Sequence, residues 1–160
     1  MKPNLRLTET LKIAEPDDVK TLEPLLLAFF KMSPYQDLNL DLGKCLRNLM
    51  SMCIDRKNSI VLLSMEGDKI VGLIAGTKIL PVFSSDPVAL ELAWFVYPEY
   101  RKSPRGIELL DGYEEWAKLV GCKASQFSLL ASVDPEDTDV SKLFKMRGFK
   151  HTEQMFQRSY

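Results

Sequence analysis

A mixed domain of the α/β class, α+β in type, with one sheet and helices on its faces, is what three features of the sequence predict. The spacing of apolar residues switches repeatedly between helical and strand periods, in the order strand, two helices, strand hairpin, strand, helix, strand, helix, strand. The stretch "SIVLLSMEGDKIVGLIAGTKIL", Ser59 to Leu80, holds two apolar runs parted by Glu66, Gly67 and Asp68, the composition of a tight hairpin. The strand–helix–strand unit from Val88 to Val133 then predicts a parallel, right-handed crossover. No repeat, low-complexity tract or linker interrupts residues 1–160, which predicts a single domain.

In chain order, Leu11 to Ala14 reads as a short strand. "EPDDVKTLEPLLLAFFKM" follows as a helix, with Pro16, Asp17 and Asp18 in the first turn, where a fixed φ and negative charge suit the dipole. Pro24 lies inside that segment and either kinks it or splits it. In "DLGKCLRNLMSMCID", Leu42, Leu46, Leu49, Met50 and Cys53 fall at helical spacing. Gly72 and Gly76, within the second hairpin strand, imply a bend or a close backbone approach. "PVFSSDP" is a loop, expected to be mobile, and "VALELAWFV" is the next strand. From Gly106 onward Leu110, Tyr113, Ala117 and Val120 form one helical stripe, flanked by Leu109 and Trp116 and ended by Gly121 at a C-cap position. "ASQFSLLASV" predicts a strand, "DTDVSKLFKMR" a short helix stopping at Gly148, and "KHTEQMFQRSY" a last strand from Glu153 to Ser159.

Composition sets limits on function. At 46% apolar and 27% charged residues, nothing forces a large segment into disorder. No apolar run approaches the roughly 20 residues of a bilayer span, and "MKPNLRLTETLK" lacks the apolar core of a secretory signal, so a cytoplasmic location is expected. A net charge of −1 gives no field for nucleic acid or membrane binding, and neither is expected as a partner. Cations do cluster at Arg101, Lys102 and Arg105, and again at Lys142, Lys145, Arg147 and Lys150; the second group fits a solvated helix face as well as a contact surface. Cys45, Cys53 and Cys122 match neither zinc-site nor disulfide spacing and read as structural thiols. His151 is the one histidine, which excludes His-rich metal clusters and disfavours a Ser-His-Asp triad; no metal is expected.

The informative stretch is "VYPEYRKSPRGIELL", between a strand end and a helix start. A helix N-terminus exposes unpaired amides and the positive end of its dipole, and so binds anions. Ser103 is placed as N-cap and Pro104 as the first helical residue, where a missing N–H costs nothing. The amides of Arg105, Gly106 and Ile107 then remain available, and Gly106 has no Cβ to hold a ligand off. Arg101, Lys102 and Arg105 add charge suited to phosphate. Neither a P-loop nor a G-x-G-x-x-G fingerprint is present. The alternative is a capped surface helix that happens to carry basic residues.

This loop resembles the acyl-CoA loop of the GNAT superfamily of N-acyltransferases, whose hallmark is Gln or Arg, two residues, Gly, one residue, then Gly or Ala, after a strand ending V-x-P-x-Y. Val96, Pro98, Tyr100, Arg101 and Gly106 match, while Pro104 stands where the family has its first glycine. "LFKMRGFKH" is similar to the family's closing Y-x-x-x-G-F segment, and the order of elements agrees over nearly the whole chain. The resemblance implies a mostly antiparallel sheet with a splayed parallel strand pair and helices on both faces. It implies acetyl-CoA as acyl donor, its pantetheine arm lined by Trp94, Phe95 and Val96. Its diphosphate would be held by Arg101, Lys102, Ser103, Pro104, Arg105, Gly106 and Ile107, and the ring of Phe144 would pack on the arm.

The implied chemistry is direct acetyl transfer to a primary amine, small-molecule or protein, in a ternary complex. Such transfer needs a base for the amine, a donor for the thioester oxygen and stabilisation of the thiolate. Glu91 is the candidate base: strand alternation puts it on one face with Ala93, Phe95 and Tyr97, and burial in "ALELAWF" would raise its pKa. A solvent-facing or ion-paired Glu91, a bulge that turns it, or a water-mediated base are alternatives. Family members often place an acidic tyrosine four residues before the glycine of G-F, but Phe144 occupies that position here. Tyr97, Tyr100, Ser132 or a water would then protonate the thiolate, or the step is slow. Asp37, Asp41, Asp55 and Asp86 near the acceptor-framing segments hint at a cationic acceptor such as a polyamine, an aminoglycoside or a lysine side chain. With only one strand after Gly148, the exposed sheet edge is charged, covered or paired with a second copy, which leaves a homodimer open. The competing possibility is a GNAT-shaped module that binds a CoA ester or a protein partner without efficient chemistry.

Overall fold

The strands are apolar on both faces because both faces are covered. In the computed structural model, which describes residues 5–129, 139–153 and 155–160, five strands form one sheet in the order β1-β2-β3-β4-β5. These are β1 (Leu11–Ile13), β2 (Ser59–Glu66), β3 (Lys69–Ile79), β4 (Val88–Val96) and β5 (Ala124–Gln126). The first four pair antiparallel and the last two parallel. Alternation along β2 sends Ile60 and Leu62 to one face and Val61 and Leu63 to the other. On the first face they meet Leu109, Tyr113, Trp116 and Ala117 of helix α4 (Arg105–Leu119). On the second they meet Val19 of α1 (Pro16–Val19), Leu25 and Leu26 of α2 (Glu23–Met32), and Leu49 and Cys53 of α3 (Leu42–Ile54). A continuous run such as "IVLL" thus marks a strand buried on both sides.

Local chemistry explains the breaks. The helix expected from Glu15 to Met32 is split. Pro24 would collide with the carbonyl four residues back, so α2 begins beside it and leaves it in a first turn, where no donor is needed. The Arg56 guanidinium closes the corner between α3 and β1, donating to the Cys53 carbonyl (2.8 Å), the Ala14 carbonyl (3.2 Å) and the Glu15 carboxylate (2.6 Å). Asp41 caps α3 through the Lys44 amide at 2.8 Å. At the end of α4, Gly121 takes φ +82°, the left-handed turn that a glycine after the last helical residue supplies cheaply.

Two compact units divide the chain: Met1–Phe29 with Asp41–Ser128, which holds the sheet, and Phe30–Leu40 with Leu129–Tyr160. In the second, a short 3-10 turn, Pro34–Asp37, is opened by the Ser33 hydroxyl accepting from the Tyr35 amide. Helix α5 (Asp139–Met146) ends where the Phe149 amide returns to the Phe144 carbonyl at 2.9 Å, and the two phenyl rings meet at 5.0 Å. The strand expected from Ala124 to Val133 is only three residues long, with Leu130 to Val133, including Ser132, outside the described residues. The strand expected from Glu153 to Ser159 is absent among the described residues. Met155 and Phe156 are adjacent, so in a strand they would point to opposite sides and give neither face an apolar set. No helix among the described residues is long and apolar enough to cross a membrane.

One contact fixes how close α4 lies to the sheet. A Cβ on Gly76 would fall 2.3 Å from the Tyr113 ring and 2.8 Å from the Leu90 carbonyl. Gly76→Ala is therefore expected to destabilise the fold by about 1–3 kcal/mol, because the strand cannot yield on either side. Chemical denaturation of the variant against the parent checks this.

Candidate functional site

The expected site begins in β4 and runs into α4. Beyond Val96 a 3-10 turn, Pro98–Tyr100, redirects the chain. The Ser103 hydroxyl then donates to the Tyr100 carbonyl at 2.5 Å, closing a further turn. That bond is why the helix starts one residue later than expected: Ser103 does not cap it, and Pro104 takes the N-cap place. The Glu108 amide reaches the Pro104 carbonyl at 2.9 Å. Ahead of it, among the described residues, the amides of Arg105, Gly106 and Ile107 find no main-chain acceptor. Ile107 and Lys102 are exposed, and Gly106 opens toward the Trp94 ring, where an added Cβ would still keep 3.6 Å. An anion can approach these amides directly.

The side-chain cations are placed differently from the expectation. The Arg105 guanidinium folds back from the helix start onto the hairpin, donating to the Met65 carbonyl and pairing with the Glu66 carboxylate, with its Cζ 5.6 Å from the centre of the Tyr100 ring. Arg101 donates from Nε to the Val96 carbonyl at 2.9 Å and lies 5.4 Å over the Phe95 ring. Lys69, thirty residues away in sequence, brings its ammonium to 5.8 Å from Tyr97 and 5.7 Å from Tyr100. Cations and rings thus alternate around the loop, each contact contributing on the order of 0.5–1 kcal/mol. Nothing in the loop's own sequence announces Lys69. It arrives through the antiparallel register that sets Gly72 against Val96.

A second feature lies where β5 leaves β4. Their pairing covers Val88↔Ala124, Ala89↔Ser125 and Leu90↔Gln126, while β4 continues to Val96, so the two strands diverge past Leu90. At that point the β3–β4 register slips: Ala75 faces Ala93 and Gly76 faces Glu91, leaving Leu92 as an extra residue in β4. The bulge reverses the face expected for Glu91. Instead of sharing a side with Ala93, Phe95 and Tyr97, Glu91 lies with Ala89, Trp94 and Val96 beneath α4, across from the Gly76 that the Tyr113 ring covers. Glu91 is 9% exposed, and its carboxylate accepts the Ser128 amide at 3.1 Å. Burial raises its pKa from 4.5 to about 7, and the Ser128 hydrogen bond opposes that rise.

The expected residues are therefore brought together in part. Trp94, Gly106 and the helix amides gather on the α4 side, and the Trp94 ring meets Phe127 edge-on at 6.2 Å. Phe95 and Tyr97 stack edge-on at 5.7 Å on the other side of the sheet, so Tyr97 and Glu91 do not converge. Phe144 belongs to the second unit, buried with its ring against Phe149. Asp41 and Asp55 are engaged locally, Asp41 as the α3 cap and Asp55 as acceptor for the Asn58 amide group. Cys53 is buried and Cys45 and Cys122 half-buried, all three free, and burial pushes the Cys53 thiol up to about 11. Among the described residues no group of three or more His, Cys, Asp or Glu side chains could hold a metal.

Comparison with known proteins agrees with this architecture. A family model described as the GNAT acetyltransferase family matches residues 21–149. An aminoglycoside acetyltransferase from an uncultured soil metagenomic sample superposes with a TM-score of 0.71 at 18% identity, over 96% of this chain and 99% of that one. A Trypanosoma brucei acetyltransferase gives 0.66 at 18% identity, over 94% and 98%. AAC(6')-Iy, solved in complex with the bisubstrate analogue CoA-S-monomethyl-acetylneamine, gives 0.68 at 17% identity, over 94% and 97%. At such identities the likeness establishes the fold alone. No curated protein sequence matches the chain.

The raised Glu91 pKa makes a stability prediction whose sign can be worked out. The folded state binds the Glu91 proton more tightly than the unfolded chain. Its contribution is thus full below pH 4.5 and lost as the pH climbs to about 7. Above that, ionised Glu91 costs the fold on the order of 3 kcal/mol. Glu91→Gln is expected to raise Tm at pH 8 by roughly 5 °C or more and to leave it nearly unchanged at pH 4.5. Thermal melts of both proteins at the two pH values check it.

Proposed function

The chain belongs to the GNAT acetyltransferase family, and from that premise we propose that it moves an acetyl group from acetyl-CoA to a primary amine by direct transfer in a ternary complex. The observation that carries the proposal is the helix start: three amides without main-chain acceptors, at Arg105, Gly106 and Ile107, beside a strand pair that parts past Leu90. The amides suit a diphosphate, and the parting strands suit an extended arm. Trp94 and Val96 would line that arm from the α4 side, with Lys102 and Ile107 at its phosphate end. Lys69, Arg101 and the Arg105–Glu66 pair hold the loop in shape. We place the activity in the cytoplasm, where unpaired cysteines are the rule.

In the proposed reaction the amine nitrogen, having given up a proton, attacks the thioester carbonyl carbon. The nitrogen then sheds the extra proton it carries in the tetrahedral adduct, the carbon–sulfur bond breaks, and the leaving thiolate takes up a proton. Glu91 has the burial and the raised pKa that suit a proton acceptor near neutrality, directly or through water. Tyr97, on the opposite face of β4, keeps a role only from that side. Two of the structural neighbours are aminoglycoside acetyltransferases, one of them solved with sisomicin, which supports a polyamine or aminoglycoside among the first acceptors to test. The local engagement of Asp41 and Asp55 weakens the case for an acidic acceptor surface built on them.

A catalytically weak module that binds a CoA ester or a protein partner is the second reading. Pro104 has no N–H to give, Arg105 is committed to Glu66, and Phe144 offers no proton. Calorimetric titration with acetyl-CoA, followed by thiol release in the presence of assorted amines, separates the two: binding without release for any amine favours the module. Gly106→Glu, which sets a carboxylate among the free amides, is expected to weaken CoA binding by on the order of a hundredfold or more. Glu91→Gln is expected to lower turnover more than affinity and to erase an inflection near pH 7 in the rate profile; unchanged turnover across the pH range discards Glu91 as the base.

A further inference from the structure

In a parallel pair, evenly spaced main-chain hydrogen bonds link the two strands. Beyond the β4–β5 ladder the Ser128 amide bonds instead to a side chain: it donates to the Glu91 carboxylate, 3.1 Å away. Three observations converge on that bond. The ladder ends at Leu90↔Gln126, one residue before Glu91 on one strand and two before Ser128 on the other. The bulge at Leu92 leaves Glu91 on the α4 side, whereas a regular two-residue period through Leu92 would put the carboxylate on the opposite face with Ala93 and Phe95. Across the register Gly76 presents no side chain, and the Tyr113 ring seals the space above it, leaving Glu91 at 9% exposure.

We propose that Glu91 is a positioning residue for the cleft itself, its carboxylate standing in for the strand carbonyl that would otherwise accept the Ser128 amide and so setting where the chain after β5 leaves β4. The bulge and the carboxylate work as a pair. Leu92 interrupts the β4 edge so that the ladder stops, and Glu91 holds the departing segment at a side chain's length rather than releasing it. The amide is satisfied, the gap has a defined width, and Phe127, one residue before the clamp, is held with its ring against Trp94 (6.2 Å) and Tyr113 (5.1 Å). The proposal rests on the view that this gap receives the CoA ester, yet the clamp can be measured without any ligand.

The test follows the Ser128 amide by residue-resolved hydrogen exchange in the full-length protein, with Leu62 and Ile74 amides in the sheet centre as controls for global opening. The comparison is among the parent, Glu91→Gln, Glu91→Ala and Glu91→Asp. Glutamine keeps an acceptor at the same reach and should protect Ser128 within about threefold of the parent. Alanine removes the acceptor, and exchange at Ser128 should rise at least about tenfold while the controls hold. Should the alanine variant fail to fold, aspartate decides: it keeps the charge but falls one methylene short, and Ser128 should lose its protection. Titration with CoA should follow the same order, glutamine near the parent and alanine or aspartate weaker by about tenfold. Equal Ser128 exchange in the parent and in the alanine or aspartate variant overturns the clamp, as does CoA affinity indifferent to all three substitutions. Absence of CoA binding by the parent sinks the proposed activity instead, and leaves the exchange pattern to decide the clamp alone.

Discussion

The extra residue at Leu92 is the constraint on which the candidate site depends. A strand carries its side chains with a period of two, so one added residue reassigns every side chain beyond it relative to its partner. In β4 that reassignment separates two populations. Val88 to Glu91 keep one register against β3, and Val88 to Leu90 of these also pair with β5, while Ala93 to Val96 keep a different register against β3. The strand therefore pairs along its whole length with β3 and only along its first three residues with β5. A gap results without any strand being broken. Its position follows from Gly76, where the sheet thins to bare backbone and Tyr113 of α4 settles against it. Bulge, glycine and tyrosine make one packing unit, and the strands part beside it.

At the start of α4, what would draw an anion is backbone rather than side chains. The cations that looked suited to phosphate are largely spent on the fold. Arg105 ties α4 to the β2–β3 hairpin through Glu66 and the Met65 carbonyl, and Arg101 ties the loop to β4 through the Val96 carbonyl. Such charge-assisted bonds hold the three open amides in a fixed orientation, which suits a site relying on preorganised dipoles. Pro104 fits the same logic. A residue at the N-cap has no need to donate, so the proline stiffens the entry to the helix while the next three amides remain open.

Much of this was legible in the residues. "IVLL" declared a strand covered on both sides, the Leu109–Leu110–Tyr113–Trp116–Ala117 pattern declared the buried face of α4, and Gly76 declared a close approach. The open amides were legible too, because helix termini follow from local chemistry. What stayed hidden required long-range pairing. The face of Glu91 depended on a bulge with no turn residue to mark it, only Leu92 in a run of apolar neighbours. The commitment of Arg105 depended on Glu66, 39 residues earlier, and the arrival of Lys69 on a strand register. The final strand is absent among the described residues because Met155 and Phe156, though β-forming, are adjacent and would face opposite sides.

If Glu91 is both clamp and base, as proposed, it carries two demands that its chemistry can reconcile only under one condition. A clamp needs an acceptor that is always present, whereas a base needs one that is empty and at times takes a proton. A carboxylate has two oxygens, and here Oε2 serves the Ser128 amide. Protonation on the other oxygen would leave that hydrogen bond standing, weakened but intact, so the cleft need not open each time the side chain takes up a proton. The same bond explains why the pKa of so buried a carboxyl rises only to about 7: the amide favours the ionised form and offsets part of the burial. Without that amide, burial would act unopposed and the carboxyl would hold its proton more tightly. In the proposed reading one hydrogen bond therefore serves both ends: it would hold the departing chain at β4, and it opposes the burial that chiefly sets the basicity of the carboxyl.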